Sequence, residues 1–410
     1  MKIKYILLNL NVLCICFCTT FAQISNVTLY DVLNFINKDS LKATVQDMQN
    51  FESRLCTKTI GQNRKVAQYL VNRLKAYGIE EARIDSFFVS DNHWIAGNYA
   101  QFMYNVVGRL KGSGGTDSTV IIGAHLDAIA YTMPGYILSP TAPGADDNAT
   151  GCAVMIEMAR VFHKYNIIPR HNIDFMAYDA EEIGLLGAYY DAKKRKDNNE
   201  NIIVMLNNDM VANQPPEDEF WKVSLRWYTN SLDITEKTEE VLKKHTKVTP
   251  IRTDAPNSKA SDSYAYFAEN YKVNFAIEYN FSDQYYHTEN DLVNHYNYAY
   301  CREIAKMNFV LLDYYAGIHL PLIIKPEAQR DEQSIEVFPN PATAVVIIHN
   351  DNNISISRID IHDFSGRCLK SLQTNEQQQN TINISNLGNG IYFLRIHTDN
   401  GIVNKKIIKK

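Results

Sequence analysis

The 410-residue sequence lacks an excess of basic residues. It holds 41 Lys and Arg against 46 Asp and Glu, which gives a formal net charge of −5. A protein that binds nucleic acid or an anionic membrane surface needs a basic patch to neutralise phosphate groups. This balance argues against both as main partners, and a neutral or small substrate is expected instead.

Long apolar runs are also scarce. Lys2 and Lys4 precede an apolar stretch that ends at the small-x-small site Thr20-Phe21-Ala22. That stretch is short for a membrane span and has the features of a signal peptide cleaved after Ala22. We therefore expect residues 1–22 to be removed, and the mature chain to be exported without a transmembrane span.

Cysteine is rare as well, with 7 in the chain. Three of them lie in the expected signal peptide, and four remain: Cys56, Cys152, Cys301 and Cys368. None of the four has CxxC-type spacing, so a zinc site built from cysteines is not expected. The sequence leaves open whether they form a disulfide or stay as buried thiols.

The glycine-rich segment "GSGG" (112–115) lacks the lysine of a phosphate-binding loop and the full dinucleotide-binding pattern. It is predicted to be a plain hairpin loop between the strands "MYNVVGRLKG" and "STVIIGAHLD".

Near-continuous apolar strands then alternate with amphipathic helices. One example is "VIIGAHLD" followed by "GCAVMIEMARVFHKY". The alternation predicts an α/β fold, a three-layer sandwich with a mostly parallel mixed sheet. In such sheets functional residues gather beyond the carboxyl ends of the strands. Segment 23–51, which precedes these strands and helices in the chain, is expected either to cover the active-site cleft or to brace the sheet.

Composition changes at a stretch with proline and charged residues, 321–335. Beyond it, short alternating segments punctuated by Pro, Asn and Gly predict a small all-β sandwich. We therefore expect a main domain at 23–320, a linker at 321–335 and a C-terminal domain at 336–410.

Five segments carry a histidine or a carboxylate where the predicted sheet would bring them together. They are "GAHLD", "GADDNATG", "DAEEIG", "NNDM" and "YYHTENDL", which contain His125, Asp127, Asp146, Asp147, Glu181, Glu182, Asp209 and His287. Crowded carboxylates without a counter-charge repel one another and take up protons. Divalent cations remove that cost, and histidine with carboxylates suits zinc.

In this order, the five motifs resemble the co-catalytic di-zinc aminopeptidase family typified by bacterial leucyl aminopeptidases. The resemblance spans roughly residues 54–320 and implies a zinc exopeptidase domain with two Zn²⁺ ions. Carried over position by position, the ligands would be His125, Asp146, Glu182, Asp209 and His287. His125 and Asp209 would complete the coordination of one ion, and Glu182 and His287 would complete that of the other.

The resemblance also implies a role for each remaining group. Asp146 would bridge the two ions, and its neighbour Asp147 would support the ligands without binding the metal directly. Asp127 would accept a hydrogen bond from His125 and fix its tautomer. Glu181 would be the general base, taking a proton from a water held between the ions and returning it to the leaving amine. Tyr286 would donate to the developing oxyanion.

The implied function is a secreted zinc aminopeptidase that acts on peptides with a free N-terminus. A glutaminyl cyclase of the same fold, a carboxypeptidase-like relative and a non-catalytic surface binding protein are the alternatives. The complete ligand set argues for hydrolysis over cyclisation, and the presence of Glu181 argues against a binding protein.

The C-terminal segments "VFPNPA", "IDIHDFSGRCLK" and "GIYFLRIHTDNG" resemble the sorting domain of the type IX secretion system of gram-negative bacteria. The match covers about 336–410. It implies recognition by the type IX machinery at the outer membrane, then release or surface attachment. A generic adhesive β-sandwich is the alternative.

Overall fold

The structure, a computed structural model, describes most of the chain. The described residues are 27–56, 62–94, 96–215, 220–320, 335–350, 355–363, 367–374, 379–398 and 401–410. The predicted signal peptide and all but the last residue of the predicted linker lie outside them. The chain divides into two units, residues up to 321 and residues from 322 onward.

The first unit contains both helices and strands. Its helices are α1 (Leu29–Phe35), α2 (Lys38–Gln49), α3 (Asn63–Ala76), α4 (Gly151–Tyr165), α5 (Leu186–Asp197), α6 (Leu232–His245), α7 (Ser263–Ala268) and α8 (Tyr298–Tyr315). Its strands are β1 (Arg83–His93), β2 (Gly97–Leu110), β3 (Thr119–His125), β4 (Tyr131–Thr132), β5 (Ile137–Leu138), β6 (Asn172–Tyr178), β7 (Ile202–Asp209), β8 (Lys222–Leu225), β9 (Thr249–Arg252) and β10 (Val273–Glu278).

Eight of these strands form one mixed sheet in the order β1-β2-β6-β3-β7-β10-β8-β9. The four central strands β6, β3, β7 and β10 pair in parallel. Successive residues of a strand point to opposite faces, and here they enter two different cores. Ile122 packs in a core with α1–α4, α6 and α8, whereas its neighbour Ile121 packs in a core with α5 and α7. The predicted three-layer sandwich is confirmed.

The predicted hairpin around "GSGG" is wrong. Strands β2 and β3, which flank it, are not neighbours, because β6 lies between them and pairs with both. A hairpin needs two antiparallel neighbours, and β6 fills that place from a distant part of the chain.

Helix α2 packs against α4 and α8. Its buried residues Leu41, Val45 and Met48 belong to the same core as those helices. The backbone N–H of Asn37, which caps α2, donates to Glu157 on α4 at 2.8 Å. The described part of segment 23–51 therefore braces the helical layer.

The second unit is a sandwich of two antiparallel sheets. Its strands are β11 (Ile335–Phe338), β12 (Val345–Asn350), β13 (Ile356–Asp363), β14 (Cys368–Gln373), β15 (Gln379–Asn383), β16 (Gly390–Thr398) and β17 (Gly401–Lys409). Sheets β11-β12-β15 and β14-β13-β16-β17 share a core, in which Ile348 of the first packs with Ile359 and Leu394 of the second.

The four cysteines that follow the predicted signal peptide are all free thiols. Cys56, Cys152 and Cys301 are buried, and Cys368 is exposed. Among the described residues, no helix combines the length and the apolar character needed to cross a membrane.

Candidate metal centre

Polar side chains meet at the carboxyl ends of the central parallel strands. His125 is the last residue of β3 and Asp209 the last residue of its neighbour β7. Glu181 and Glu182 follow β6, which flanks β3 on the other side. His287 comes from the loop after β10, where its backbone is left-handed (φ 55°). Parallel pairing brings these ends to one edge of the sheet.

The Asp147 carboxylate lies between the two imidazoles. Its Oδ1 is 3.1 Å from Nε2 of His125, and its Oδ2 is 3.1 Å from Nε2 of His287. Each imidazole also meets a second carboxylate: His125 faces Asp209 at 3.4 Å, and His287 faces Glu182 at 3.0 Å. The cluster therefore has two halves that share one carboxylate.

The sequence placed Asp146 in this shared position, and the structure corrects that placement. Asp146 Oδ1 instead accepts hydrogen bonds from the Ala212 N–H at 2.9 Å and from the Thr150 hydroxyl at 2.9 Å. The irregular turn Ala145–Thr150 turns the two neighbouring side chains in different directions. Burial, followed by the charge of Asp291, raises the pKa of Asp146 well above its usual range.

Asp127 lies beside His125 and beneath the backbone of the two glutamates. Its Oδ1 is 3.5 Å from Nδ1 of His125, whose Nε2 faces the cluster. The Asp127 carboxylate also accepts hydrogen bonds from the backbone N–H groups of Glu181 at 3.1 Å and Glu182 at 3.3 Å. The Asp127 carboxylate thus holds the backbone of both glutamates, while Nδ1 of His125 lies 3.2 Å from the Asp127 carbonyl oxygen.

The residues present fit a divalent cation. Ligands arranged tetrahedrally about 2.0–2.1 Å from zinc are roughly 3.3 Å apart, and the facing atoms here are 3.0 to 3.4 Å apart. Within the described residues, Nε2 of His287 is buried without a hydrogen bond of suitable geometry, although two carboxylates lie beside it. Imidazole nitrogen and carboxylate oxygen are both zinc ligands.

The electrostatics of the cluster agree with this fit. Burial disfavours the charged form of His287, but the neighbouring carboxylates outweigh burial and raise its pKa to about 12. Burial, assisted by Asp147, raises the pKa of Glu182 to about 7. Without another cation the cluster must hold protons to offset its negative charge, and a divalent cation would take their place.

Glu181 stands apart from this set. No hydrogen bond of its carboxylate is seen among the described residues, whereas Glu182 accepts one from the Ile129 N–H at 3.2 Å. Burial is the main cause that raises the pKa of Glu181, and the adjacent carboxylates add to it while His125 opposes it.

Two supporting residues escaped the sequence reasoning. The fully buried Arg54 donates to the carbonyls of Leu126 at 2.9 Å and Gly144 at 2.6 Å. It thus ties the residue that follows His125 to the segment that leads to Asp147. Asp291 accepts from the backbone N–H groups of Asp146 at 2.8 Å and Asp147 at 3.1 Å. Both residues contact segments that are far away in the sequence, so no local pattern predicts these contacts. The one hint in the sequence is that Asp291 lies in the same motif as His287, "YYHTENDL".

Gly144 has a steric reason to be glycine. Its backbone is left-handed (φ 55°), and a Cβ there would collide with Ala128, the Asp147 carbonyl and Arg54. Only glycine adopts this conformation without cost in so little space.

Tyr286 stacks on the His287 ring, with 3.6 Å between centroids. No hydrogen bond of its hydroxyl is found in the described part of the chain. Burial, followed by the nearby carboxylates, raises its pKa, so the hydroxyl keeps its proton and can donate it in a hydrogen bond.

A second cluster of possible ligands contains Cys56, Asp127 and Asp179. Its carboxylates already have donors, since Asp179 accepts from the backbone N–H groups of Tyr104 at 2.8 Å and Ala180 at 2.9 Å. It therefore needs no cation to be satisfied.

Two family descriptions match the chain. Peptidase family M28 matches residues 105–312, and the secretion system C-terminal sorting domain matches residues 336–410. The crowded imidazoles and carboxylates at the edge of an α/β sheet lie inside the first range. The chain belongs to peptidase family M28 and carries a C-terminal sorting domain.

Individual relatives agree with this assignment. A probable leucine aminopeptidase of Arthroderma otae is 26% identical over 283 residues, 66% of this chain and 71% of that protein. A probable zinc metalloprotease of Pyrenophora teres f. teres is 32% identical over 207 residues, 48% of this chain and 43% of that protein. The chain thus spans less than half the length of the second relative.

Solved structures share the fold. The LapA aminopeptidase of Legionella pneumophila has a TM-score of 0.56 at 20% identity, covering 72% of this chain and 75% of that one. The glutaminyl cyclase of Bacteroides thetaiotaomicron has a TM-score of 0.54 at 17% identity, covering 67% of this chain and 96% of that one.

Proposed function

We propose that this protein is an exported aminopeptidase that uses two zinc ions to hydrolyse the first residue from peptides with a free N-terminus. The observation that carries the proposal is the position of the Asp147 carboxylate, which offers one oxygen to each half of the cluster. Each half also holds one imidazole and one further carboxylate. That symmetry fits two cations bridged by one ligand.

In this proposal Asp147 replaces Asp146 as the bridging ligand. His125 and Asp209 complete one ion, and His287 and Glu182 complete the other. These residues would offer three protein ligands to each ion and would leave a coordination position open, as a catalytic site requires. When bound, the two ions make water more acidic and polarise the scissile carbonyl.

Glu181 is proposed as the general base because it follows the same strand as the ligand Glu182, and within the described residues no hydrogen bond occupies its carboxylate. It accepts the proton of the attacking water and returns it to the leaving amine. Asp127 holds the backbone of Glu181 and faces Nδ1 of His125, so it orients base and ligand together. Tyr286 is proposed to donate its hydroxyl hydrogen bond to the oxyanion.

The organisation of the chain fits export. We propose a cleaved signal peptide at 1–22, a peptidase domain at 23–320, a linker at 321–335 and a sorting domain at 336–410. The sorting domain would be recognised by the type IX machinery, and the protein would be secreted or held at the outer-membrane surface of a gram-negative bacterium.

The test is a mass-spectrometric assay on short peptides with free or acetylated N-termini, with and without a zinc chelator. The expected result is stepwise loss of the first residue from free-amine peptides only, abolished by the chelator and restored by zinc. Loss of ammonia from N-terminal glutamine without cleavage would instead assign the protein to the glutaminyl cyclases. No product from folded, zinc-replete protein would indicate a binding protein.

A pair of adjacent variants separates base from ligand. Glu181→Gln should lower kcat by roughly 10²- to 10⁴-fold, the usual contribution of a general base, while keeping the bound zinc. Glu182→Gln should lose zinc as well as activity. Unchanged activity and zinc content in Glu181→Gln would refute the assignment of the base.

A further inference from the structure

A chain of aromatic side chains runs from the candidate metal centre to the surface. The Tyr131 hydroxyl lies 3.1 Å from Nδ1 of His287, and the two ring centroids are 5.3 Å apart. Tyr136 packs against Tyr131 at 5.2 Å, and Trp94 packs edge-on against Tyr136 at 5.1 Å. We call Tyr131, Tyr136 and Trp94 the aromatic ledge.

The ledge is built from two separate parts of the chain and is open to solvent. Tyr131 and Tyr136 belong to the hairpin formed by β4 and β5, whereas Trp94 directly follows β1. Trp94 is 72% exposed, and Ile137 on the same hairpin is 67% exposed. Exposed apolar groups gathered beside a site, in contrast to scattered ones, commonly mark a binding surface.

The hairpin is anchored to the loop that carries His287. The Tyr131 N–H donates to the His287 carbonyl at 3.1 Å, and the Ser139 hydroxyl donates to the Glu289 carboxylate. Within the hairpin, the Ser139 N–H donates to the Ala130 carbonyl at 2.8 Å. The part of the ledge on the hairpin, Tyr131 and Tyr136, is therefore held in place relative to His287, so that little ordering of it is needed when a substrate binds.

We propose that the aromatic ledge binds the substrate residues that follow the scissile bond and favours aromatic side chains there. The inference rests on the proposed aminopeptidase function. The substrate of an aminopeptidase ends at its first residue, so only the residues after the scissile bond continue from the site to solvent. The ledge leads from His287 to solvent in three ring-to-ring steps of 5.3, 5.2 and 5.1 Å. Placed end to end, the three steps give the upper limit of the ledge's length, and this limit matches roughly four to five residues of extended chain.

The ledge has no carboxylate or ammonium group among its three members, so its attraction for a ligand is apolar and aromatic. Aromatic pairs gain from edge-to-face packing in addition to the area that they bury. Peptides with Phe, Tyr or Trp at the second to fourth positions are therefore the expected preferred substrates, ahead of glycine-rich peptides with the same first residue.

The experiment compares kcat/KM for three substrates that share the first residue: leucine amide, Leu-Gly-Gly-Gly and Leu-Gly-Phe-Gly. The zinc-loaded full chain should favour the phenylalanine peptide over the glycine peptide by about 3- to 10-fold, mainly through KM. Trp94→Ala should bring that ratio close to one, and Trp94→Phe should retain most of it.

Phe102→Ala is the matched control. Phe102 is 54% exposed and packs edge-on against Phe88, with centroids 5.4 Å apart. In the part of the chain that the structure describes, no ring contact connects that pair to His287. This variant should keep the wild-type ratio.

Three outcomes would overturn the inference. If the wild-type chain hydrolyses leucine amide but does not distinguish the two peptides, the ledge is refuted and the aminopeptidase proposal stands. If zinc-loaded wild type hydrolyses none of the substrates, both proposals fail. If wild type is a dimer in sedimentation experiments and Trp94→Ala dissociates it without changing the substrate ratio, the ledge belongs to a second copy.

Discussion

Asp146 and Asp147 are adjacent residues with different surroundings, and they provide a sharp test of the metal assignment. Asp147→Asn should greatly reduce the bound zinc, because an amide offers only one oxygen to the two imidazole-bearing halves. Loss of a residue that only hydrogen-bonds to a metal ligand already lowers metal affinity or activity about 10- to 100-fold. Loss of the shared ligand itself should therefore lower zinc affinity more. Zinc per chain by elemental mass spectrometry and kcat/KM are the readouts.

Asp146→Asn is the control for that variant. An asparagine keeps one side-chain oxygen to accept from the Ala212 N–H and the Thr150 hydroxyl, which are the contacts of Asp146 Oδ1. It should therefore keep its zinc and most of its activity. Zinc lost from Asp146→Asn but kept by Asp147→Asn would restore the assignment that the sequence suggested.

The motif predicted this segment but could not predict which aspartate faces the imidazoles. The choice depends on backbone angles inside the turn, where Asp147 (φ −104°, ψ 91°) and Asn148 (φ −132°, ψ 45°) are both non-helical. Those angles are supported from outside the segment, by Arg54 and Asp291. The order of residues within the motif carries no information about such distant contacts.

At the scale of elements, a pair of buried amides connects α8 to the strand that ends at Asp209. The side-chain amides of Asn308 and Asn208 exchange hydrogen bonds at 3.1 and 2.7 Å. Asn308→Ala would leave the Asn208 amide buried without this partner, at a cost of about 1–3 kcal/mol in the free energy of unfolding. Chemical denaturation should show a lower midpoint, and zinc affinity should fall with it.

An exposed asparagine on another helix provides the comparison. Asn72 lies on the solvent side of α3, where Asn→Ala should change the free energy of unfolding by less than about 0.5 kcal/mol. Equal effects of Asn72→Ala and Asn308→Ala would mean that the amide pair contributes no specific stabilisation.

The elements themselves were largely predictable because their signals are local. The apolar run of β3 and the helical periodicity of α4 are visible in the sequence, and each element forms where expected. The insertion of β6 between β2 and β3 was not predicted, because pairing depends on residues far apart in the chain. The β4–β5 hairpin was missed for a different reason: its strands have two residues each, too few for a pattern to appear.

At the scale of the whole molecule, the chain contains two units with separate cores. The first unit holds the candidate metal centre and the cores on either side of its sheet, and the second holds a core of its own between two antiparallel sheets. The two units should therefore unfold separately, and only the first should respond to metal.

Differential scanning calorimetry of the full chain tests this expectation. Zinc that binds only the folded first unit stabilises it by RT ln(1 + [Zn²⁺]/Kd), about 2.7 kcal/mol at a free concentration of 100 Kd. A chelator should therefore lower the Tm of one transition by several degrees and leave the other in place. Asp147→Asn in excess zinc should resemble the chelated wild type, because the loss lies in the site and not in the supply of metal. A single transition that moves as a whole would show that the two units unfold together.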